Sequence, residues 1–282
     1  MSPVETLRAP AKLTRSLRVV GIRHDGYHLL EAEMATLDLA DEIELEPGGE
    51  GFEVLDEVDW AGVADGAPSP VSSPAGRAHA REVGRVPEAG PANLVARALE
   101  AVGRRARVRL KKRIPAGAGL GGGSADAAAI LRWAGVRDAA VAAGLGADVP
   151  FCVTGGRALV RGVGELVEPL SYEPFGVVLL TPALAVATPE VYRAWDALGC
   201  PAGEHGNDLE SAALAIEPGL SWWRDLFSSV AGERPHLAGS GGTWYLERER
   251  SAAVGLAAQL RGAVLAERGR ALVAAAASTP SG

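Results

Sequence analysis

Hydrophobic and polar positions along the chain follow two different periods. "AKLTRSLRVVGI", from Ala11, is dense in branched side chains, and "DEIELEP" alternates Ile43 and Leu45 with acids. Together with the turn signal "HDG" at His24–Gly26, they predict a β-rich stretch over residues 9–46. "NLVARALEAVG" places Leu94, Val95, Ala98, Leu99 and Val102 on one helical face, with Asn93 as N-cap and Gly103 as stop. In "ARVRLKKRIP" the period returns to two: Ala106, Val108 and Leu110 alternate with Arg107, Arg109 and Lys111, the signature of an antiparallel strand with one solvated face. Helical segments run on to Gly144, a strand-like run "FGVVLLTP" spans Phe175–Pro182, and "SAALAI" and "SAAVGLAAQLRGAV" read as helices. Residues 48–92 lose both periods and fill with Gly, Pro, Ala and Ser, which predicts surface loop, mobile in part, with one or two edge strands near Phe52–Trp60. No repeat is present. The fold class is α+β, with a break expected near Gly155–Glu165, hence one part over residues 1–160 and another over 161–282.

Composition adds limits. A chain of 282 residues with 48% hydrophobic and 22% charged residues suits a globular protein with a real core. Its net charge of −7 argues against nucleic-acid binding, while leaving room for a small basic pocket. Cys152 and Cys200 are too few for a disulfide framework and lack metal-ligand spacing, as expected of reduced thiols in the cytoplasm. The N-terminal "MSPVETLRAPAKLTRSL" has no apolar core of a signal peptide, and "ALVAAAAS" falls short of the ~20 residues a membrane span needs. A cytoplasmic protein without membrane contact or obligate protein partner is expected.

The densest feature is "PAGAGLGGGSADAA", from Pro115 to Ala128, with five glycines between Gly117 and Gly123. Each glycine costs roughly 1 kcal/mol relative to alanine in a regular element, so the cluster needs a cause. Gly117, Gly119 and Gly122 satisfy the dinucleotide pattern G-x-G-x-x-G, but the preceding strand alternates with bases and Pro115 separates it from the loop. The P-loop pattern fails because no lysine follows the glycines. What remains is a phosphate cradle: backbone N–H groups and a helix starting near Ser124 converge on an anion, with Lys111, Lys112 and Arg113 adding charge upstream. The blander reading makes Ser124 a simple N-cap, with Asp126 favouring the first turn.

The loop resembles the signature of the galactokinase, homoserine kinase, mevalonate kinase and phosphomevalonate kinase (GHMP) superfamily. "APAKL" (Ala9–Leu13), "DGYHLL" (Asp25–Leu30), "DEIEL" (Asp41–Leu45), "LGADVPF" (Leu145–Phe151), "GVGE" (Gly162–Glu165), "TPEVYRAWD" (Thr188–Asp196), "NDLE" (Asn207–Glu210) and "AGSGGT" (Ala238–Thr243) extend the likeness to its 4-diphosphocytidyl-2-C-methyl-D-erythritol kinases across nearly the whole chain. The resemblance implies a two-domain GHMP-kinase-like fold with the active site in the interdomain cleft. It implies ATP and Mg²⁺ as cofactors, and phosphorylation of a hydroxyl of a cytidine diphosphate derivative of methylerythritol, in isoprenoid precursor synthesis. The ATP phosphates would lie on Pro115, Ala116, Gly117, Ala118, Gly119, Leu120, Gly121, Gly122, Gly123, Ser124 and Ala125, with Lys112 nearby. Asp148 would deprotonate the acceptor hydroxyl, and Lys12 would stabilise charge on the transferred group. Tyr27 and His28 would recognise the cytosine, Tyr192 would stack on its other face, and Thr14 and Gly241 would contact substrate. No carboxylate cluster marks a metal site, so Mg²⁺ follows from ATP chemistry alone.

Two departures stand out. The family usually carries asparagine two positions after the lysine, where this chain has Thr14, followed by Arg15 and Ser16 in place of apolar or aromatic residues. The interval from Ser124 to Asp148 is only 24 positions, short by a helical turn or more. Two other readings therefore stand beside the first: a homoserine- or mevalonate-type kinase, whose substrate has no base to stack, and a nucleotide-binding regulatory relative without turnover.

Overall fold

Two long antiparallel strands open the fold: β1 (Glu5–Ile22) and β2 (His28–Pro47). The computed structural model describes residues 3–62, 89–184, 186–267 and 269–282. Most of the predicted loop over 48–92, residues 63–88, lies outside them.

β2 is long enough to take different partners along its second edge. Its first half pairs with β6 (Arg157–Gly162) and its last residues with β5 (Ala106–Lys112), both antiparallel. β7 (Leu166–Pro169) continues from β6, and β3 (Phe52–Asp56) lies parallel to β5, completing a six-stranded sheet. β5 is thus antiparallel on one side only; the long return from β3 gives the crossover that parallel pairing needs. The span 155–165 is occupied by β6 and its turn, and the first sheet runs on to Pro169. A division of the chain at residue 160 passes through β6. The second sheet orders β4 (Trp60–Gly62), β11 (Arg270–Ala277), β8 (Gly176–Pro182), β10 (Trp244–Arg248) and β9 (His236–Leu237), all antiparallel. β8, the "GVVLLTP" run, is buried at every position, as its apolar stretch Val177–Leu180 requires, and the Thr181 hydroxyl is met by that of Thr243 at 2.8 Å.

Helices cover the sheets. α1 (Leu94–Ala101) begins as predicted, with Asn93 Oδ1 accepting from Val95 N at 2.9 Å and Gly103 following in the left-handed region. α2 (Gly122–Trp133) is small-residue and apolar over Ala127–Leu131, which lets it pack against β1, α1 and α4 (Val149–Thr154). α3 (Ala139–Leu145), capped by Asp138, fills the short interval before Asp148. α5 (Thr188–Ala197), α6 (Glu210–Ile216), α7 (Gly219–Ala231) and α8 (Arg250–Ala266) belong to the second half, with α8 on β8 and β11. Ala11, Leu13, Leu37, Val177, Leu179 and Tyr245 form a separate buried cluster where the two sheets meet. Among the described residues no helix is long and apolar enough to cross a membrane.

Charged groups fasten these layers. Arg15, one of the departures, donates from Nε and Nη2 to both oxygens of Glu247 on β10 (2.5 and 2.7 Å). It also pairs with Glu33 on β2 and lies over the Phe175 ring at 4.8 Å, so it ties the first sheet to the second. Deeper, the Lys112 ammonium sits between the carboxylates of Asp41 and Asp126, all three buried. Asp41 also accepts from the backbone N of Arg113 (2.5 Å) and Ile114 (2.8 Å). Burial, joined by Asp41, raises the Asp126 carboxyl against the pull of Lys112. Burial opposes the Lys112 charge as well, but the two carboxylates outweigh it and raise that pKa. The triad joins β2, β5 and α2 directly beneath the glycine loop.

Removing the shared cation leaves two buried carboxylates uncompensated, so Lys112→Met is expected to lose about 3–5 kcal/mol of unfolding free energy. Its neighbour Lys111, paired with Glu42 and Glu44 at the surface, should show little change as Lys111→Met. Urea denaturation of the two variants beside the wild type checks both.

Candidate active site

β1 delivers the first functional side chains. Register shifts between Pro10 and Lys12 and between Thr14 and Ser16 bracket the pair Lys12 and Thr14, and such bulges re-aim side chains. Lys12 and Thr14 are 6% and 1% exposed, yet both line a cavity of about 920 Å³. The Lys12 ammonium donates to Thr14 Oγ1 at 3.0 Å and lies 3.3 Å from Asp148 Oδ2.

The glycine loop is shaped largely by other parts of the protein. A Cβ on Gly121 would fall 2.7 Å from Lys12 Cγ, so the lysine stem crosses bare backbone there. Gly121 is also left-handed (φ 68°) and stands as the N-cap of α2 with no side-chain capping bond. Gly119 (φ 77°) and Gly241 meet back to back: a Cβ on Gly119 would be 2.7 Å from Gly241 Cα, and the converse distance is 2.3 Å. Thr243 locks the two loops together, its hydroxyl donating to Ala118 O at 2.6 Å. Asn207 holds the second loop from behind, donating to Leu237 O (2.9 Å) and Gly239 O (2.7 Å). Only at Gly117, among Gly117, Gly119, Gly121, Gly122 and Gly123, would a Cβ point into open space.

α2 starts at Gly122, two residues before the predicted start, which makes Ser124 a first-turn residue and not a cap. The N–H groups of Gly122, Gly123 and Ser124 therefore have no acceptor within the helix and carry its positive dipole end. Asp148 precedes α4 without making a side-chain capping bond, so its carboxylate is not spent on the helix start. Its carboxylate, one-third exposed, faces Lys12 in the cavity. One turn on, burial and Asp148 push the Cys152 thiol up to about 12, which leaves it inert at neutral pH.

At the other end of the cavity, His28 stacks on Tyr192 with ring centroids 4.7 Å apart and meets the edge of Trp195 at 5.7 Å. His28 Nε2 is 2.8 Å from Asp196 Oδ1, a partner that the sequence did not single out. Burial, with Asp148 adding to it, raises the Tyr192 hydroxyl to about 12, so the phenol stays protonated. Tyr27 does not join this stack. It lies at the cavity mouth, 62% exposed, beneath the Arg23 guanidinium at 5.3 Å. Tyr27 belongs to the turn before β2, its carbonyl accepting from Arg23 N at 2.7 Å, whereas His28 is the first residue of the strand.

Of the other predicted residues, Gly119 and Ser124 line the cavity with Lys12, Thr14, Asp148 and Tyr192. Gly239 and Ser240 reach it, whereas Gly241 is spent on Gly119. Lys112 is committed to its two carboxylates, and Lys111 and Arg113 to Glu42, Glu44 and Glu57. The bases upstream of the loop are thus neutralised by acids, and the helix start and Lys12 are left to meet an anion. A nucleotide triphosphate suits this donor set: free first-turn N–H groups, a bare backbone at Gly117 and one buried ammonium. Among the described residues no group of three or more His, Cys, Asp or Glu could hold a metal ion. A Mg²⁺ carried by phosphates needs only one or two protein oxygens, which Ser124 and Asp148 can offer.

Residues 93–156 match the GHMP kinases N terminal domain, the stretch from the α1 cap to Gly156. A 4-diphosphocytidyl-2-C-methyl-D-erythritol kinase of Paracoccus denitrificans is 34% identical over 84% of this chain and 84% of its own length. One from Anaeromyxobacter dehalogenans is 35% identical over 93% of this chain and 85% of its own. A crystal structure of 4-(cytidine 5'-diphospho)-2C-methyl-D-erythritol kinase superposes with a TM-score of 0.70 at 32% identity, covering 98% of this chain and all of the other. On fold, site and sequence together, the chain belongs to the 4-diphosphocytidyl-2-C-methyl-D-erythritol kinases of the GHMP kinase family.

Proposed function

We propose that this small-molecule kinase transfers the γ-phosphoryl group of ATP to a hydroxyl of 4-diphosphocytidyl-2-C-methyl-D-erythritol, a step of isoprenoid precursor synthesis in the cytoplasm. The observation that carries the reading is the Lys12–Asp148 pair at 3.3 Å, set between an open helix start and an aromatic stack in one cavity. Asp148 accepts the proton of the acceptor hydroxyl as its oxygen bonds to phosphorus. The bond between the γ-phosphorus and the bridging oxygen breaks, and its electron pair leaves with ADP. Lys12 and the first-turn N–H groups of α2 stabilise the charge spread over the transferred group. Ser124 Oγ and Asp148 are the protein oxygens that would hold a Mg²⁺ carried by the phosphates, and the ion would supply further charge neutralisation there. Residues 1–160 then carry the nucleotide, and the substrate lies between the two parts, met by His28 from β2 and by Tyr192 and Asp196 from α5.

His28, Tyr192 and Asp196 favour a substrate with a base over homoserine or mevalonate, which offer no ring to stack. The intact Lys12–Asp148 pair favours turnover over a purely regulatory role.

ADP release from Mg²⁺-ATP, compared for the cytidine compound, homoserine, mevalonate and no acceptor, tests the proposal; stimulation by the cytidine compound alone is expected. Asp148→Asn should lower kcat by about 10²–10⁴-fold while ATP still binds. Gly121→Ala forces Lys12 aside and should cost about 10²-fold in kcat in the same assay. Loss of a stacking ring in Tyr192→Ala should raise KM for the cytidine substrate by about 5- to 100-fold and leave KM for ATP in place.

A further inference from the structure

Lys12 and Thr14 are two residues apart on β1 and share the face that looks into the cavity. A lysine ammonium has three N–H groups and no acceptor. Thr14 Oγ1 takes one at 3.0 Å, and Asp148 Oδ2 faces another at 3.3 Å. The hydroxyl oxygen is itself held in place. Thr14 is 1% exposed, β-branching restricts its χ1, and the second glycine loop closes its far side, where a Cβ on Gly239 would lie 3.4 Å from Oγ1. Asp148, by contrast, is one-third exposed and makes no capping bond. The fixed partner of the lysine head is therefore the threonine.

We propose that Thr14 is a positioning residue: its hydroxyl oxygen holds the Lys12 ammonium beside Asp148 and leaves the third N–H for an anion at the start of α2. This rests on the kinase reading above. It also explains the departure at this position, because threonine and asparagine share one property that matters here, a side-chain oxygen that accepts from Lys12. The donors of the amide are dispensable to that task.

The test compares Thr14→Val, which keeps the shape and loses the acceptor, with Thr14→Ser and Thr14→Asn, which keep an acceptor. Thr14→Ala serves if the valine variant does not fold. The expected result is a kcat lower by about 10- to 100-fold in Thr14→Val with KM for both substrates unchanged, and recovery of most of it in Thr14→Ser. A second readout needs no turnover. The chain contains only three lysines, Lys12, Lys111 and Lys112, so ¹⁵N-lysine labelling resolves each ammonium. Hydrogen exchange at the Lys12 ammonium should accelerate in Thr14→Val, while the Lys112 ammonium, buried between its carboxylates, stays as slow as in the wild type. Unchanged kcat and unchanged Lys12 exchange would overturn the proposal, as would a serine variant as impaired as the valine one. A rise in KM alone would replace it with a substrate-contact role. If the wild type phosphorylates none of the acceptors, the kinase reading falls, and Lys12 exchange alone decides the role of Thr14.

Discussion

The stem of Lys12 crosses the backbone of Gly121 so closely that no β-carbon fits between them. Much of the site depends on that approach. The lysine reaches the cavity from a strand of the first sheet, and it must pass the start of α2 to bring its ammonium to Asp148. Any side chain at Gly121 would displace either the strand or the helix end whose N–H groups face the same space. The left-handed backbone at Gly121 adds a second reason for glycine, since other residues rarely adopt it.

A similar economy governs the second glycine cluster. Gly119 and Gly241 bring two loops into backbone contact, and Thr243 and Asn207 hold them by hydrogen bonds to backbone oxygens. The phosphate loop is thus braced by the second sheet, and from below by the triad of Asp41, Lys112 and Asp126. Buried charges with good partners add little net stability, but losing one partner is costly. Such a triad therefore fixes the arrangement of β2, β5 and α2 more than it strengthens the fold.

Charge in this chain is divided by place. Across the first sheet, bases and acids answer one another, as in Arg157 with Glu33 and Arg161 with Glu31 and Glu168. Arg15 extends that pattern to the second sheet through its bidentate hold on Glu247. The cavity receives the Lys12 ammonium, with the Asp148 carboxylate 3.3 Å from it.

Local order determined what the sequence alone made legible. Asn93 and Gly103 bound α1, period two marks β5, and the apolar run of β8 is buried throughout, because capping, periodicity and burial act between near neighbours. Lys12 and Asp148 were nameable from their motifs. Their 3.3 Å approach was not, since it depends on how β1 and α4 pack on α2. The same holds for Lys112, which reads as a phosphate ligand beside the loop until Asp41, 71 positions away, closes on it. It holds again for His28, whose partner Asp196 is 168 positions distant. Glycine identity was written in the sequence; what each glycine makes room for was decided by tertiary contact, because a close approach belongs to two segments and neither encodes it alone.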